Sequence, residues 1–163
     1  MLNKRYSFAL LLAFLLAAVV WWLLPPVNSA PDAQFTTITG KKIALQALRG
    51  RPVLVAFWAT DCPACIQEIP HLLSLYRQFH ARGLEIIAVA MYYDPPNHVA
   101  AMAKARRLPY DIALDLRGSH ALAFGNVQLI PTTCLISPEG KIVLRKTGAF
   151  NVLQMQNSIE KML

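Results

Sequence analysis

Two cysteines, Cys62 and Cys65, lie two residues apart in the segment FWATDCPACIQEIP, residues 57–70. Two thiols at this spacing suit three kinds of chemistry: binding a metal ion, closing a permanent disulfide, or making and breaking a disulfide reversibly. The choice among them depends on the other ligands that the chain offers and on the secondary structure that carries the pair.

The rest of the sequence disfavours the first two uses. A structural zinc site needs four protein ligands, but the chain has only one further cysteine, Cys134, and its four histidines form no pair at the spacing of a zinc site. A permanent disulfide at this spacing would close a very short loop and would stabilise the fold little. The spacing therefore favours a reversible redox pair, with no metal and no cofactor.

The local pattern places Cys62 where a thiolate is stabilised. Residues 53–58 (VLVAFW) form a continuous apolar run, which is typical of a strand buried on both faces. Helical spacing of apolar residues follows, with Pro63 at the first helical position. Free N–H groups and the positive end of the helix dipole stabilise an anionic sulfur there. We therefore expect Cys62 to be the exposed attacking thiol and Cys65, one turn later and facing inward, to be the resolving thiol.

The remaining pattern predicts an α/β domain. A β-hairpin is predicted at 35–45, a second buried strand at 84–91, and a helix at 98–107 that is followed by a short strand–helix segment. Two further strands, joined by the turn sequence SPEG, and a closing helix complete the domain. This order of elements predicts a mixed sheet with helices on both faces.

These elements and motifs resemble the thioredoxin-like fold. The tripeptide FWA before CPAC, with Pro70 five residues after the second cysteine, is similar to the active-site strand and helix of thioredoxins. Ile130-Pro131-Thr132 stands where that family has a cis-proline. The resemblance implies that Pro131 is cis and that it contacts the substrate together with Ile130, Thr132 and Trp58.

A narrower group is also similar: the TlpA/ResA-like membrane-anchored thiol-disulfide oxidoreductases. The CPAC motif, Glu68 and the inserted segment 110–126 carry this likeness, which covers roughly residues 35–163. The resemblance implies that Glu68 handles the proton of the active-site thiols, and a carboxyl near an apolar pocket can have the raised pKa that suits this task. The alternative for Glu68 is a surface residue in the first turns of a helix.

Three positions depart from the thioredoxin pattern. Ala56 replaces a buried aspartate, so that proton acceptor is missing, and Asp61 replaces the tryptophan before the first cysteine. Ala64 stands where strong disulfide oxidants have histidine, so no imidazolium stabilises the thiolate. We expect Pro63, Asp61 and Ala64 to tune the redox potential, and the residue at 64 favours a reductant.

The N-terminal segment is expected to anchor the chain in a membrane. Residues 6–24 carry no charge and are almost entirely apolar; as a helix, about 19 residues would span about 28 Å, close to the hydrocarbon thickness of a bilayer. Lys4 and Arg5 precede this segment, so the positive-inside rule leaves the N-terminus in the cytoplasm. Three parts follow: a cytoplasmic N-terminus and transmembrane anchor at 1–26, a linker at 27–34 and a thioredoxin-like domain at 35–163.

A cleaved signal peptide is the alternative for this segment. Its apolar region would be unusually long, and the best cleavage site, after Ala30, has Asn28 where a small residue is needed. The formal net charge of +7 comes from basic residues that are scattered along the chain, which disfavours nucleic acid as a partner.

The expected protein is therefore a single-pass protein of the inner (cytoplasmic) membrane whose domain faces the periplasm and reduces disulfides in client proteins. Apocytochrome c and copper-site assembly proteins are candidate clients. A membrane thiol relay would return electrons to the pair, because the outside compartment has no reducing buffer. The alternatives are a disulfide oxidase and a chaperone that holds Cu(I) between the two thiolates. A peroxidase is disfavoured, because Ala59 stands where it would need threonine.

Overall fold

The computed structural model describes residues 14–15 and 28–163 of the protein. The expected membrane segment at 6–24 therefore lies almost entirely outside the described residues. In the part of the chain that is described, no helix is both long enough and apolar enough to cross a membrane.

A two-stranded hairpin precedes a five-stranded sheet. The hairpin consists of β1 (Gln34–Thr36) and β2 (Lys42–Ala44), which pair antiparallel as predicted. The strands of the sheet, in chain order, are β3 (Val53–Trp58), β4 (Glu85–Ala90), β5 (Asp111–Leu114), β6 (Thr132–Ile136) and β7 (Ile142–Thr147). Their spatial order is β5-β4-β3-β6-β7, with β3, β4 and β5 parallel and β6 antiparallel to both of its neighbours. The mixed sheet predicted from the sequence is confirmed.

Within residues 28–163 there are four α-helices: α1 (Pro63–Phe79), α2 (Pro96–Ala105), α3 (Ser119–Ala123) and α4 (Val152–Glu160). Because β3, β4 and β5 are added to the sheet in one direction, right-handed crossovers place α1 and α2 on the same face. Helix α4 packs on that face as well, since its buried residues share a core with those of α1 and α2.

The opposite face of the sheet is covered mainly by the hairpin. Val55 and Phe57 of β3 pack there against Phe35 of β1, while Ala121 of α3 and the nearby Phe124 complete this second core. Helices thus lie on both faces, but unequally, because the two consecutive crossovers place their helices on one side. The hairpin therefore supplies the apolar cover that the second face needs.

The segments that follow β3 and β4 meet the segment that precedes β6 at one edge of the sheet. The register shows this directly, since Phe57 near the end of β3 lies opposite Thr132 at the start of β6, and Trp58 lies opposite Ala90 at the end of β4. We call this edge the Cys62 edge, because the cysteine motif follows β3 there.

The chain enters the domain at the other edge. The carbonyl oxygen of Asn28 accepts a hydrogen bond from the N–H of Ile142 at 2.8 Å, and the N–H of Ala30 donates to the carbonyl oxygen of Gly140 at 2.9 Å. Ile142 lies opposite Ile136, which in turn lies opposite Val53 at the start of β3. Residues 28–30 are therefore fixed at the end of the sheet farthest from the Cys62 edge.

Candidate active site

Cys62 caps the N-terminus of α1. Its backbone is extended, with φ −94° and ψ 105°, and its Sγ accepts a hydrogen bond from the backbone N–H of Cys65 at 3.1 Å. Pro63 follows in the first turn, where the missing N–H of proline costs no helical hydrogen bond. The two cysteines form a disulfide, with their Cα atoms 5.2 Å apart. The described molecule is thus the oxidised form of the pair.

The two cysteines differ in accessibility. Cys62 is half-buried and is followed by the exposed residues Pro63 and Ala64, whereas Cys65 is only 3% exposed and belongs to the core on the helix face. A disulfide approaching from solvent therefore meets Cys62 first. This arrangement suits an attacking sulfur at Cys62 and a resolving sulfur at Cys65.

The loop that leads into the motif is fixed by a residue that the sequence reasoning missed. Asp94 is buried, and its carboxylate accepts hydrogen bonds from the backbone N–H of Thr60 at 2.6 Å and from the Thr60 hydroxyl at 2.7 Å. Asp94 follows β4, and the carboxyl ends of the parallel strands β3 and β4 lie at the same edge. That topological rule, applied to a carboxylate shortly after a buried strand, could have found it.

The loop before β6 lies at the same edge. The peptide bond between Ile130 and Pro131 is cis. The Thr132 hydroxyl donates to the carbonyl oxygen of Leu129 at 2.7 Å, and the carbonyl oxygen of Pro131 accepts from the N–H of Gly148 at 2.8 Å. These bonds hold the cis-proline loop, residues 129–131, beside the cysteine motif.

Glu68 lies inside the protein, at 3% exposure, one helical turn after Cys65. Its carboxylate accepts a hydrogen bond from the backbone N–H of Phe150 at 3.1 Å. Burial raises the pKa of the Glu68 carboxyl above its usual value, and the hydrogen bond from Phe150 offsets part of that rise. The alternative of a surface glutamate is therefore wrong, and the residue can hold a proton inside the protein near Cys65.

Glu68 and Cys65 line a common cavity of about 10 Å³, which is about the space of one water molecule. Ala56, where thioredoxins carry their buried acid, lines the same cavity. Ala56 is small and has no carboxyl, so β3 places no acid beside Cys65. The carboxyl in this cavity belongs to Glu68, and it therefore comes from α1 and not from β3.

Of the four residues that the resemblance assigned to substrate contact, Trp58, Pro131 and Thr132 are buried. Trp58 lines the cavity beside Glu68, and its indole Nε1 is buried without a hydrogen-bond partner among the described residues. Burial leaves these three side chains little surface for a partner protein. In contrast, Ile130 is half-buried, and Leu129 and Asp61 are exposed next to the motif.

The third cysteine lies apart from the pair. Cys134 is fully buried in β6 and packs in the hairpin-side core, whereas Cys65 packs on the helix face. Burial raises the pKa of the Cys134 thiol, and the charge of Arg145 offsets part of that rise. Within residues 14–15 and 28–163, no group of three or more His, Cys, Asp or Glu side chains is arranged to hold a metal ion.

One protein-family model and several thiol-disulfide oxidoreductases match most of this chain. The model of the AhpC/TSA family matches residues 26–145. The thiol-disulfide oxidoreductase ResA of Bacillus cereus is 32% identical over 134 residues, which cover 82% of this chain and 76% of that protein. The ResA of Bacillus subtilis is 34% identical over 121 residues, which cover 74% of this chain and 66% of that protein.

Solved structures share the fold. StoA from Bacillus subtilis has a TM-score of 0.67 at 26% identity, covering 78% of this chain and 97% of that one. The thioredoxin domain of a thiol-disulfide oxidoreductase from Bacteroides vulgatus has a TM-score of 0.71 at 25% identity, covering 85% and 97%. Together with the Cys62–Cys65 disulfide, these relatives make the protein a thiol-disulfide oxidoreductase of thioredoxin-like fold. The chain belongs to the AhpC/TSA family and is a TlpA/ResA-like thiol-disulfide oxidoreductase.

Proposed function

We propose that the protein acts as a reductase of disulfides in client proteins. The observation that carries this direction is the lack of a cation within the CPAC motif. Pro63 and Ala64 separate the cysteines, and the exposed Asp61 precedes them, so the motif contains no cation and has an acidic neighbour. A strong oxidant owes its potential to a stabilised reduced form. A thiolate that is stabilised by the helix terminus but by no neighbouring cation gives up electrons more readily.

The reaction begins on the reduced pair. The Cys62 thiolate attacks one sulfur of a client disulfide, so a mixed disulfide forms and the other client sulfur leaves as a thiolate. Cys65 transfers its proton to the Glu68 carboxylate and attacks Cys62 Sγ. The Cys62–Cys65 disulfide then forms, and the second client sulfur leaves. The client gains two electrons, and Glu68 holds the proton of Cys65 until solvent receives it.

The client is proposed to be an extracytoplasmic protein, with apocytochrome c and copper-site assembly proteins as candidates. A membrane thiol relay is proposed to reduce the pair again after each turnover, because that compartment lacks a reducing buffer. Binding of the client is assigned to the exposed surface around Cys62, with the half-buried Ile130 beside it and the buried Pro131 supporting the same cis-proline loop. Their position at the Cys62 edge supports this assignment.

Membrane attachment is proposed through residues 6–24, with the domain in the periplasm and residues 25–27 as the connection to the docked segment 28–30. Three connecting residues reach at most about 10 Å, so the end of the sheet at Gly140 would face the membrane. The Cys62 edge would then face away from the bilayer, at the distance of a strand of about 17–20 Å. This orientation leaves the pair accessible to soluble clients.

The redox state of the pair in cells tests the direction. Cells that produce the full chain with Cys134→Ser are quenched in acid, and free thiols are labelled with a maleimide of known mass. Because the variant retains only the motif cysteines, a doubly labelled chain means a reduced pair. A reductase is expected to be mainly reduced at steady state. A pair that is mainly oxidised would support the oxidase alternative instead.

A further inference from the structure

The cavity beside Glu68 adjoins a second, open space. Tyr110 and Leu108 line the cavity together with Cys65 and Glu68, and the same two residues line an outer groove of about 340 Å³. Tyr110 is 6% exposed. Its side chain therefore stands between the buried carboxyl and a groove that is open to solvent.

The outer groove is formed by parts of the fold that do not carry the redox pair. Its lining comes from the hairpin at Thr37–Thr39, from α2 and the turn after it between Ala100 and Leu108, and from β5 with the residue before it. Neither the cysteine motif nor the cis-proline loop contributes to it. A client bound at the Cys62 edge would leave this groove open.

The proposed reaction creates a need for such a route. While the client covers Cys62, the proton of Cys65 passes to Glu68, which is almost completely buried. The carboxyl must release this proton before it can serve in another cycle. The inference below rests on the proposed role of Glu68 in resolution.

We propose that Tyr110 relays protons between Glu68 and the outer groove. A phenol hydroxyl can accept one hydrogen bond while it donates another, so it can pass a proton along without a change in its own charge. Burial and the neighbouring Glu68 raise the pKa of Tyr110 further above its usual value, so the phenol stays neutral while it does so. The cavity has space for about one water, which would also give the Trp58 indole N–H a partner.

The charged and titratable groups around this route are few. Cys65 and Tyr110 share the cavity with Glu68, and the backbone N–H of Phe150 contacts its carboxylate. On the groove side, three charged residues line the wall: Lys104, Arg107 and Asp111. The ring of Tyr76 lies 6.1 Å from that of Tyr110, centroid to centroid. Solvent in this open groove can accept the proton and complete the route.

Tyr110→Phe tests the relay, because it removes the hydroxyl and retains the ring. The full chain in detergent is reduced and mixed with a disulfide-linked peptide, and single-turnover kinetics separate formation of the mixed disulfide from its resolution. We expect resolution to slow by about tenfold or more and its pH profile to change. Formation of the mixed disulfide, measured in the Cys65→Ser background, is expected to keep its wild-type rate.

Two controls distinguish a relay from a packing effect. Tyr76→Phe removes a hydroxyl from the neighbouring ring, which does not line the cavity, and is expected to resolve at the wild-type rate. In the Glu68→Gln background, Tyr110→Phe is expected to cause no further loss, since both changes interrupt one route. Thermal unfolding of the oxidised variants checks that each is folded.

The outcomes separate the relay from the reductase proposal. Wild-type resolution in Tyr110→Phe, or an equal loss with and without Glu68, would overturn the relay. A wild-type pH profile of resolution in Glu68→Gln would also overturn the relay, because Glu68 would then not be the group that supplies the proton. A wild-type chain that fails to reduce the peptide at all would instead contradict the proposed function.

Discussion

The carboxylate of Glu68 accepts a hydrogen bond from the backbone N–H of Phe150, a residue 82 positions later in the chain, at 3.1 Å. Two residues before Phe150, the N–H of Gly148 donates to the carbonyl oxygen of Pro131. The segment 148–150 therefore contacts both the buried carboxyl and the cis-proline loop. A change in the charge of Glu68 would therefore act on a segment that is also bonded to the cis-proline loop.

Changing Glu68→Gln is expected to alter the pH dependence of disulfide exchange while the fold remains intact. Glutamine keeps an oxygen that can accept the bond from Phe150, but it cannot take the proton of Cys65. The rate of resolution, measured from acidic to alkaline pH, should lose the ionisation that the wild type shows above the usual carboxyl range. An unchanged profile would contradict the proton-handling role.

The raised pKa of Glu68 also predicts how the stability of Glu68→Gln depends on pH. Because the folded-state pKa of Glu68 is raised above the usual 4.5, the folded chain holds this proton more tightly than the unfolded chain does. The stability that this proton gives is complete below the usual value and is lost as pH rises through the folded-state value. The unfolding free energy of Glu68→Gln relative to that of the wild type should therefore rise with pH and then level off, as measured by urea unfolding. A pH-independent difference would argue against the raised pKa.

The roles of the two thiols can be tested by trapping. Cys65→Ser should still attack a client disulfide but not release it, so a covalent mixed disulfide should accumulate as a heavier band that reductant removes. Cys62→Ser should trap much less, since Cys65 is buried behind the first turn of α1. The mass of the trapped partner would also identify the client.

Cys134→Ser is the matched control for this trapping experiment. Its side chain lies in the hairpin-side core, so we expect nearly unchanged exchange activity and a loss of about 1–2 kcal/mol in unfolding free energy. Equal trapping by both motif variants would contradict the assigned roles. Loss of activity in a folded Cys134→Ser would contradict them as well.

Asp94 is expected to support the loop that leads into the cysteines. Asp94→Ala leaves the backbone N–H of Thr60 without its partner, which should lower the unfolding free energy by about 1–3 kcal/mol. Asp94→Asn retains one acceptor oxygen and should lose less. Attack by Cys62 should slow in the alanine variant, as measured by formation of the mixed disulfide. Wild-type stability in Asp94→Ala would show that the loop holds its position without this carboxylate.

The pattern of apolar residues sufficed to predict β3 and the start of α1, because a buried run and a proline at a helix start are local signals. The burial of Glu68 could not be predicted from such local signals. It arises from the hydrogen bond with Phe150, which is distant in sequence, and from the packing of α1 over a cavity that Tyr110 and the small Ala56 also line.

Other features depend on how the elements are connected in space. The unequal distribution of helices over the two faces follows from two crossovers in one direction. Docking of residues 28–30 follows from a bridge to Lys141, whereas their sequence is that of a polar linker. The pairing of Asp94 with Thr60 likewise requires the neighbouring positions of β3 and β4.

Membrane attachment predicts that the mature protein keeps its N-terminus. Full-length chain should be recovered in membranes washed with carbonate, and mass spectrometry of that fraction should detect residues 1–26. Replacing Lys4 and Arg5 by acidic residues should lower the fraction of chains whose N-terminus lies in the cytoplasm, because the positive-inside rule depends on these two residues. Mature protein that begins near Pro31 in the soluble fraction would show instead that the segment is a cleaved signal peptide.

The reduction potential of the Cys62–Cys65 pair tests the central claim most directly. The full chain with Cys134→Ser would be equilibrated in detergent with dithiol–disulfide buffers of graded potential, and the fraction of labelled thiols would be measured. The lack of a cation in CPAC predicts a value well below that of strong oxidants and nearer the roughly −270 mV of thioredoxin. A value above about −150 mV, near the roughly −120 mV of a strong oxidant, would contradict the reductase assignment.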